Sequence, residues 1–264
     1  MKILFLFFMA MLVCSPSASS ADEPVVTSCD RLAEIAKSGR ASEQRFDVSA
    51  TVSFTTTNAT AFIAFQDGSG AVLAHFLSNT ARCGDRVRVR GFTKRFADAN
   101  ASVHCSSIEV LAHGEPVRPI LAKPADIAAG KLDFRLVTLT GTIRDAFPDE
   151  IDDNFCVLSV VAERHHFYVP VCTPAIDARK LVGARAAITG ICEPRPYCNR
   201  KYVGRTILAN GDGIMPFDEA RPDPFNAPDV GALIGLDPAT IGCMPQHQTS
   251  GRVLAAWNRN CLII

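Results

Sequence analysis

Residues 84–91 read Gly84-Asp85-Arg86-Val87-Arg88-Val89-Arg90-Gly91, and residues 183–190 read Gly183-Ala184-Arg185-Ala186-Ala187-Ile188-Thr189-Gly190. A glycine opens and closes each stretch. In the first, Val87 and Val89 alternate with Arg86, Arg88 and Arg90, the period-two pattern of a strand with one buried and one wet face. Two copies in one chain point to an internal repeat. The likeness continues upstream, where Ala50-Thr51-Val52 aligns with Gly141-Thr142-Ile143.

Outward from these strands the same alternation predicts five strands in each half. Those of the first half cover 46–56, 61–66, 71–77, 85–91 and 103–111. Those of the second cover 136–147, 155–161, 165–171, 184–191 and 201–209. Asp67-Gly68-Ser69-Gly70 is a turn between the second and third strands. A short helix precedes each set, over 30–37 with Asp30 as N-cap and Gly39 as stop, and over 124–129 closed by Gly130. Five strands in this order, with glycines at the bends, suit a small closed barrel. The expected fold is all-β: two tandem five-stranded OB-like barrels, a short helix before each, and an incomplete C-terminal hairpin. The expected division is 1–21 signal peptide, 22–113 first barrel with its helix, 114–215 second barrel, 216–248 proline-rich linker and 249–264 the start of a third, truncated OB-like domain. Thr249-Ser250-Gly251-Arg252-Val253 resembles Thr140-Gly141-Thr142-Ile143, with Asn258-Arg259-Asn260 as a hairpin turn. The rival expectation is that this hairpin packs on the second barrel.

The N-terminus carries an export signal. Lys2 is followed by an unbroken apolar run over 3–13, too short to span a bilayer as a helix. Small residues follow, with Ser19 and Ala21 at the −3 and −1 positions, so cleavage is expected after Ala21. An N-terminal membrane anchor is the alternative. No later stretch is apolar enough to span, so the expected mature chain is periplasmic or secreted and has no membrane span.

The 264 residues carry 27 basic and 27 acidic side chains, and 48% are hydrophobic. That composition excludes a disordered chain and argues against bulk electrostatic binding of nucleic acid. Nine cysteines remain after residue 21. In an oxidising compartment disulfides are the default, and an odd count leaves at least one thiol over. Cys83 and Cys105, alone in the first barrel, are the expected pair there. Cys192 and Cys198 flank a turn-rich loop that would bring them together. The four cysteines Cys156, Cys172, Cys192 and Cys198 allow three connectivities. Zinc is disfavoured because no second closely spaced pair follows Cys192 and Cys198. No Cys-x-x-Cys suggests a catalytic thiol.

The pattern of short helix, Phe65-Gln66-Asp67-Gly68-Ser69-Gly70 turn and Gly84–Gly91 strand resembles the extracytoplasmic tandem OB-like domains at the N-terminus of bacterial two-component sensor proteins. Gly190-Ile191-Cys192 and Val203-Gly204 are the matching residues of the second copy, and Asp223-Pro224-Phe225 lies in the linker. The resemblance implies a bacterial envelope setting and a binding or sensing role. It implies no catalytic residue. This sequence holds no histidine-kinase or receiver segment, so no signalling chemistry carries over.

Candidate ligand residues are few. Alternation places His166 and Tyr168 together on one strand face. Arg86, Arg88 and Arg90 form a basic stripe, extended by Lys94 and Arg95. A nucleic-acid OB fold also needs aromatic side chains beside such a groove. Phe54, Phe62 and Phe76 lie in the same barrel, but alternating phenylalanines are expected to fill its interior. Asp149-Glu150-Ile151-Asp152-Asp153 sits between the first two strands of the second barrel, where OB folds often bind. It lacks the order of a calcium loop and reads as a solvated turn. His75, His104 and His113 are scattered along the chain and define no catalytic set. The expectation is an exported, non-catalytic binding or sensing module without cofactor or metal. Its partner would be a small ligand or an envelope protein domain; OB-fold nucleic-acid binding is the alternative.

Overall fold

The computed structural model describes residues 24–38, 43–56, 61–76, 81–95, 101–172, 178–194, 204–217, 229, 231, 234–236, 249–252, 254–257 and 261–263. The protein is all-β, built on two OB-like barrels. In the first, α1 (Cys29–Ser38) is followed by β1 (Arg45–Thr55), β2 (Phe62–Gln66), β3 (Ala71–His75), β4 (Arg86–Arg95) and β5 (Ala101–Ala112). These close in the order β1-β2-β3-β5-β4, with β1 pairing back onto β4. The second has α2 (Pro124–Ala128), then β7 (Leu136–Pro148), β8 (Phe155–Ala162), β9 (His165–Cys172), β10 (Arg185–Glu193) and β11 (Thr206–Pro216). It closes in the equivalent order, β7-β8-β9-β11-β10, with β10 back on β7. In both barrels the third and fifth strands pair parallel.

The repeat holds at the level of single hydrogen bonds. Val52 N–H donates to Asp85 O and Gly84 N–H donates to Val52 O; Ile143 N–H donates to Ala184 O and Gly183 N–H to Ile143 O. Gly84 and Gly183 both have positive φ, 97° and 89°, a conformation that favours glycine at the tight entry to the fourth strand. The sequence alignment of 84–91 with 183–190 is therefore also a structural one. It extends further upstream than the sequence showed. A two-residue strand, β6 (Ile120–Leu121), pairs parallel with β7, and Val26 bridges parallel to Phe46 at the matching place.

Three local expectations need correction. Gly91 and Gly190 do not end their strands; both lie inside them, at breaks in register. A Cβ on Gly91 would meet His104 O, and one on Gly190 would meet Leu208 O, so these are points where neighbouring backbone crosses closely. The cap of α1 is not Asp30. Asp67, in the β2–β3 turn, accepts from Cys29 N–H (3.0 Å), Ser69 N–H (2.7 Å) and Gly70 N–H (2.9 Å), while Ser69 Oγ accepts from Asp30 N–H (3.1 Å). The turn thus satisfies the open end of the helix from a distance. Its helix then places Leu32 and Ile35 in the first core, with Val48, Phe65 and Val87.

The expected Cys83–Cys105 disulfide is the third correction. Cys29, Cys83, Cys105, Cys156 and Cys192 are free thiols. Cys105 is buried in the first core beside Val103, whereas Cys83 sits in the turn before β4, close to Thr55 and Asp212. The two therefore do not form the expected bond. Cys192 lies in the second core, and Cys198 is outside the described residues. Burial pushes the Cys105 and Cys192 thiols up to about 12, which leaves them protonated and unreactive at neutral pH.

Residues 1–21 and the proposed cleavage at Ala21 lie outside the described residues, as does most of 216–248. Among the described residues no helix is long and apolar enough to cross a membrane. Near the C-terminus, β12 (Ala255–Trp257) pairs antiparallel with β13 (Cys261–Ile263), and the expected turn at 258–260 is outside the described residues.

Gly91→Ala and Gly190→Ala are each expected to destabilise the protein by about 3 kcal/mol or more, against a change within about 0.5 kcal/mol for Gly68→Ala, which has open space. Urea unfolding midpoints check this. The Asp67 carboxyl gives a pH test. Burial opposes its ionisation, but the hydrogen bonds from Ser69, Cys29 and Gly70 outweigh burial and hold it down at about 2. A depressed folded value means the stabilisation is full above the unfolded value, about 3.9, and is lost as pH falls toward 2. Asp67→Asn should lower stability at pH 7 by about 1–3 kcal/mol and flatten the fall between those two pH values, measured by thermal melts across the range.

Candidate ligand-binding face

Alternation along β8 and β9 sorts their side chains onto two faces. Leu158, Val160, Ala162, Phe167, Val169 and Val171 fill the second barrel. Ser159, His166 and Tyr168 therefore point outward, and the expectation that His166 and Tyr168 share a face holds. Ser159 stands opposite Tyr168 in the pairing. Ser159 Oγ and His166 Nε2 are 2.7 Å apart, and the His166 ring meets Tyr168 edge-on with centroids 4.6 Å apart. Partial desolvation of the ring against Tyr168 and Ser159 lowers the His166 pKa, although the residue as a whole keeps an exposed side. His166 is exposed, and Tyr168 is half-buried.

Phe147 joins them, with its ring edge-on to Tyr168 at 6.4 Å. Simple alternation hides it. Counting by twos from Ile143, which is in the core, would put Phe147 inside as well. The register breaks between Ile143 and Asp145, and beyond that break Ala146 faces inward while Asp145 and Phe147 face outward, opposite Ser159 and Val157. The face therefore carries a cross-strand row Asp145–Ser159–Tyr168, flanked by Phe147 and His166.

The equivalent face of the first barrel is built on the same backbone. Its register breaks between Val52 and Phe54, and its matching row is Phe54–Ala64–Leu73. That row is apolar and is not a binding surface. Phe54, Phe62 and Ala64 pack with Leu136, Phe155, Ile191 and Leu208 of the second barrel, and Leu73 joins them. Phe54 and Phe62, expected in the barrel interior, are buried in this seam instead. Asn210 Nδ2 donates to Thr55 O (2.9 Å) across it.

Arg86, Arg88 and Arg90 are exposed on β4, on the first barrel and away from His166 and Tyr168. Asp47, across from them on β1, takes both arms of Arg88 (2.8 Å each) and Arg90 Nε (3.1 Å). Arg88 and then burial and Arg90 act on this carboxyl; the arginines win and hold it at about 2. Glu109 stands opposite Arg88 on the other side. Two of the three guanidinium groups are thus already paired, at the modest strength usual for exposed ion pairs. The acidic loop is more ordered than a solvated turn: Asp149 is buried, and its Oδ1 accepts from Ile151 N–H (2.9 Å) and Asp152 N–H (3.1 Å). Among the described residues no three His, Cys, Asp or Glu side chains gather as a metal site.

Two histidines that looked scattered come together. His75 and His104 stack with centroids 5.2 Å apart, between Phe62 at 4.4 Å and Phe92 at 5.5 Å. Among the described residues, His75 to His104 is the register contact that joins β3 to β5 in parallel. No spacing in the sequence signals it. Burial, with His104 beside it, lowers His75 to about 4, so His75 is neutral at pH 7.

No family model matches the chain, and no curated protein does. Solved structures that match include a murine DNA-binding protein bound to double-stranded DNA, at 7% identity and a TM-score of 0.33, over 67% of this chain and 97% of that one. The tetrameric p202 HIN2 matches at 8% and 0.34, over 70% and 94%. The Ifi202 HINa domain in complex with 20-bp double-stranded DNA matches at 9% and 0.31, over 64% and 94%. A likeness at this level says nothing about a ligand for this chain.

Proposed function

We propose that this chain is an exported, non-catalytic binding or sensing module of the bacterial envelope, and that it takes its ligand on the outer face of β7, β8 and β9. The observation that carries this reading is the contrast between the two copies of one face. In the first barrel the row Phe54–Ala64–Leu73 is apolar and packed in the seam. In the second, the same row is Asp145–Ser159–Tyr168, with His166 and Phe147 beside it. Strand faces two and three of an OB fold are its usual binding surface, and a polar, aromatic-bearing version of that face outside the seam is suited to a ligand. The export signal over 1–21 and the resemblance of Phe65–Gly70 and Gly84–Gly91 to tandem sensor domains support the envelope setting. The paired arginines and the zero net charge favour this reading over nucleic-acid binding.

The test is amide NMR mapping on the mature chain, with three probes at millimolar concentration: a neutral hexasaccharide, a lysine–alanine decapeptide and a thymidine oligonucleotide. At least one probe should shift Ser159, His166 and Tyr168, and Tyr168→Ala should abolish that response. Silence of this face to all three, or a salt-sensitive response of Arg86, Arg88 and Arg90 to the oligonucleotide alone, overturns the reading.

A further inference from the structure

Resting on that reading, we propose that the β7–β8–β9 face accepts a basic polypeptide segment, with lysine or arginine heads at Asp145 and their apolar stems across Phe147 and Tyr168. Asp145 is exposed and lies in the same cross-strand row as Ser159 and Tyr168. Asp145 and Tyr168 each pair with Ser159 from opposite sides, which sets them about 10 Å apart, a span that an extended lysine or arginine side chain lying across Tyr168 bridges. Phe147 and Tyr168 meet in a T-shaped pair and both are only half-buried, so ring surface remains for the methylene stems of long cationic side chains and for cation–π contact.

The surroundings have the same sign. Between Arg144 and Tyr168 the sequence holds six carboxylates (Asp145, Asp149, Glu150, Asp152, Asp153 and Glu163) against the two guanidinium groups of Arg144 and Arg164. Glu150 and Asp153 are exposed in the loop that follows Phe147, and Glu163 is exposed in the turn at the opposite end of β8. A polyanion approaching this face meets like charge along its length, whereas a basic chain meets opposite charge at both ends and an aromatic surface between. The barrel is closed, so the partner gains no strand edge to extend; recognition must come from side chains.

The experiment measures binding of a fluorescein-labelled (Lys-Ala)5 peptide to the full mature chain by anisotropy, with (Glu-Ala)5 as the counter-probe. The lysine peptide should bind, weaken steeply with added salt, and leave the glutamate peptide unbound. Asp145→Asn, isosteric and exposed, should weaken it about tenfold, and Phe147→Leu, which keeps bulk but removes the ring, by a similar factor. Glu43→Gln, an exposed carboxylate on the other barrel, should leave binding unchanged. Equal loss with Glu43→Gln would mean unspecific charge attraction and overturn the proposal. Failure of the lysine peptide while the neutral hexasaccharide shifts His166 and Tyr168 would overturn it too, but leave the binding-face reading standing. A lysine-peptide response confined to residues outside this face would overturn both.

Discussion

The seam between the barrels sets what the rest of the molecule does. Phe54, Phe62 and Ala64 turn away from the barrel that made them and bury themselves against Leu136, Phe155, Ile191 and Leu208. Each large apolar side chain removed from water in this way contributes roughly 1.5–3 kcal/mol. At one border, the side chain of Asp133, 5% exposed, accepts an ion pair from Lys37 on α1 (3.2 Å) and another from Arg205 (2.9 Å). Arg205 also donates to Ala128 O at the end of α2. One carboxylate therefore ties the helix of the first barrel to the second. Beside it Phe134 holds a φ of 63°, unusual for a bulky residue. Its ring is buried on Ala33 and Ala71 of the first barrel, and its N–H donates to Cys192 O (2.7 Å). Packing and a hydrogen bond on opposite sides hold that strained conformation in place.

This seam divides one inherited surface into two roles. The register break after Val52 and the one after Ile143 aim equivalent residues outward at equivalent places. What differs is the side chain: phenylalanine, alanine and leucine on one copy, aspartate, serine and tyrosine on the other. The apolar copy docks the second barrel and the polar copy stays outside the seam. The backbone devices common to both copies, positive φ at Gly84 and Gly183 and close approach at Gly91 and Gly190, belong to the fold. The residues that differ belong to the site.

The same division explains what the sequence made legible. Alternation of Val87 and Val89 with arginines, and its echo over 183–190, sufficed for the barrels and their repeat, because period two is a direct consequence of strand geometry; the last strand of the second barrel, expected over 201–209, instead runs Thr206–Pro216. The partnership of His166 with Tyr168 followed from the same rule. Phe147 escaped because one extra residue in a strand reverses every face beyond it, and nothing in Ile143-Arg144-Asp145 marks that residue. The interior placement expected for Phe54 failed for the same cause; Phe62 lies on β2, which pairs with β3 without a break, on the face opposite Ile63 and Phe65. Part of the cap on α1 is local, since Ser28 Oγ accepts from Arg31 N–H (3.4 Å); the rest was hidden because Asp67 and Ser69 are remote in sequence from the helix they serve. The Cys83–Cys105 pair was inferred from compartment and from membership of one barrel, neither of which says where a side chain points; Cys105 points into a core.

The central claim is that the two barrels form one body, with the first binding face closed by the second barrel. Backbone residual dipolar couplings from residues 45–112 and from residues 136–216 of the full chain, fitted separately, test it most directly. The account predicts one alignment tensor, equal in magnitude and orientation for both barrels. Two tensors of different magnitude would show the barrels moving independently, and would contradict a buried seam at Phe54, Phe62 and Leu208.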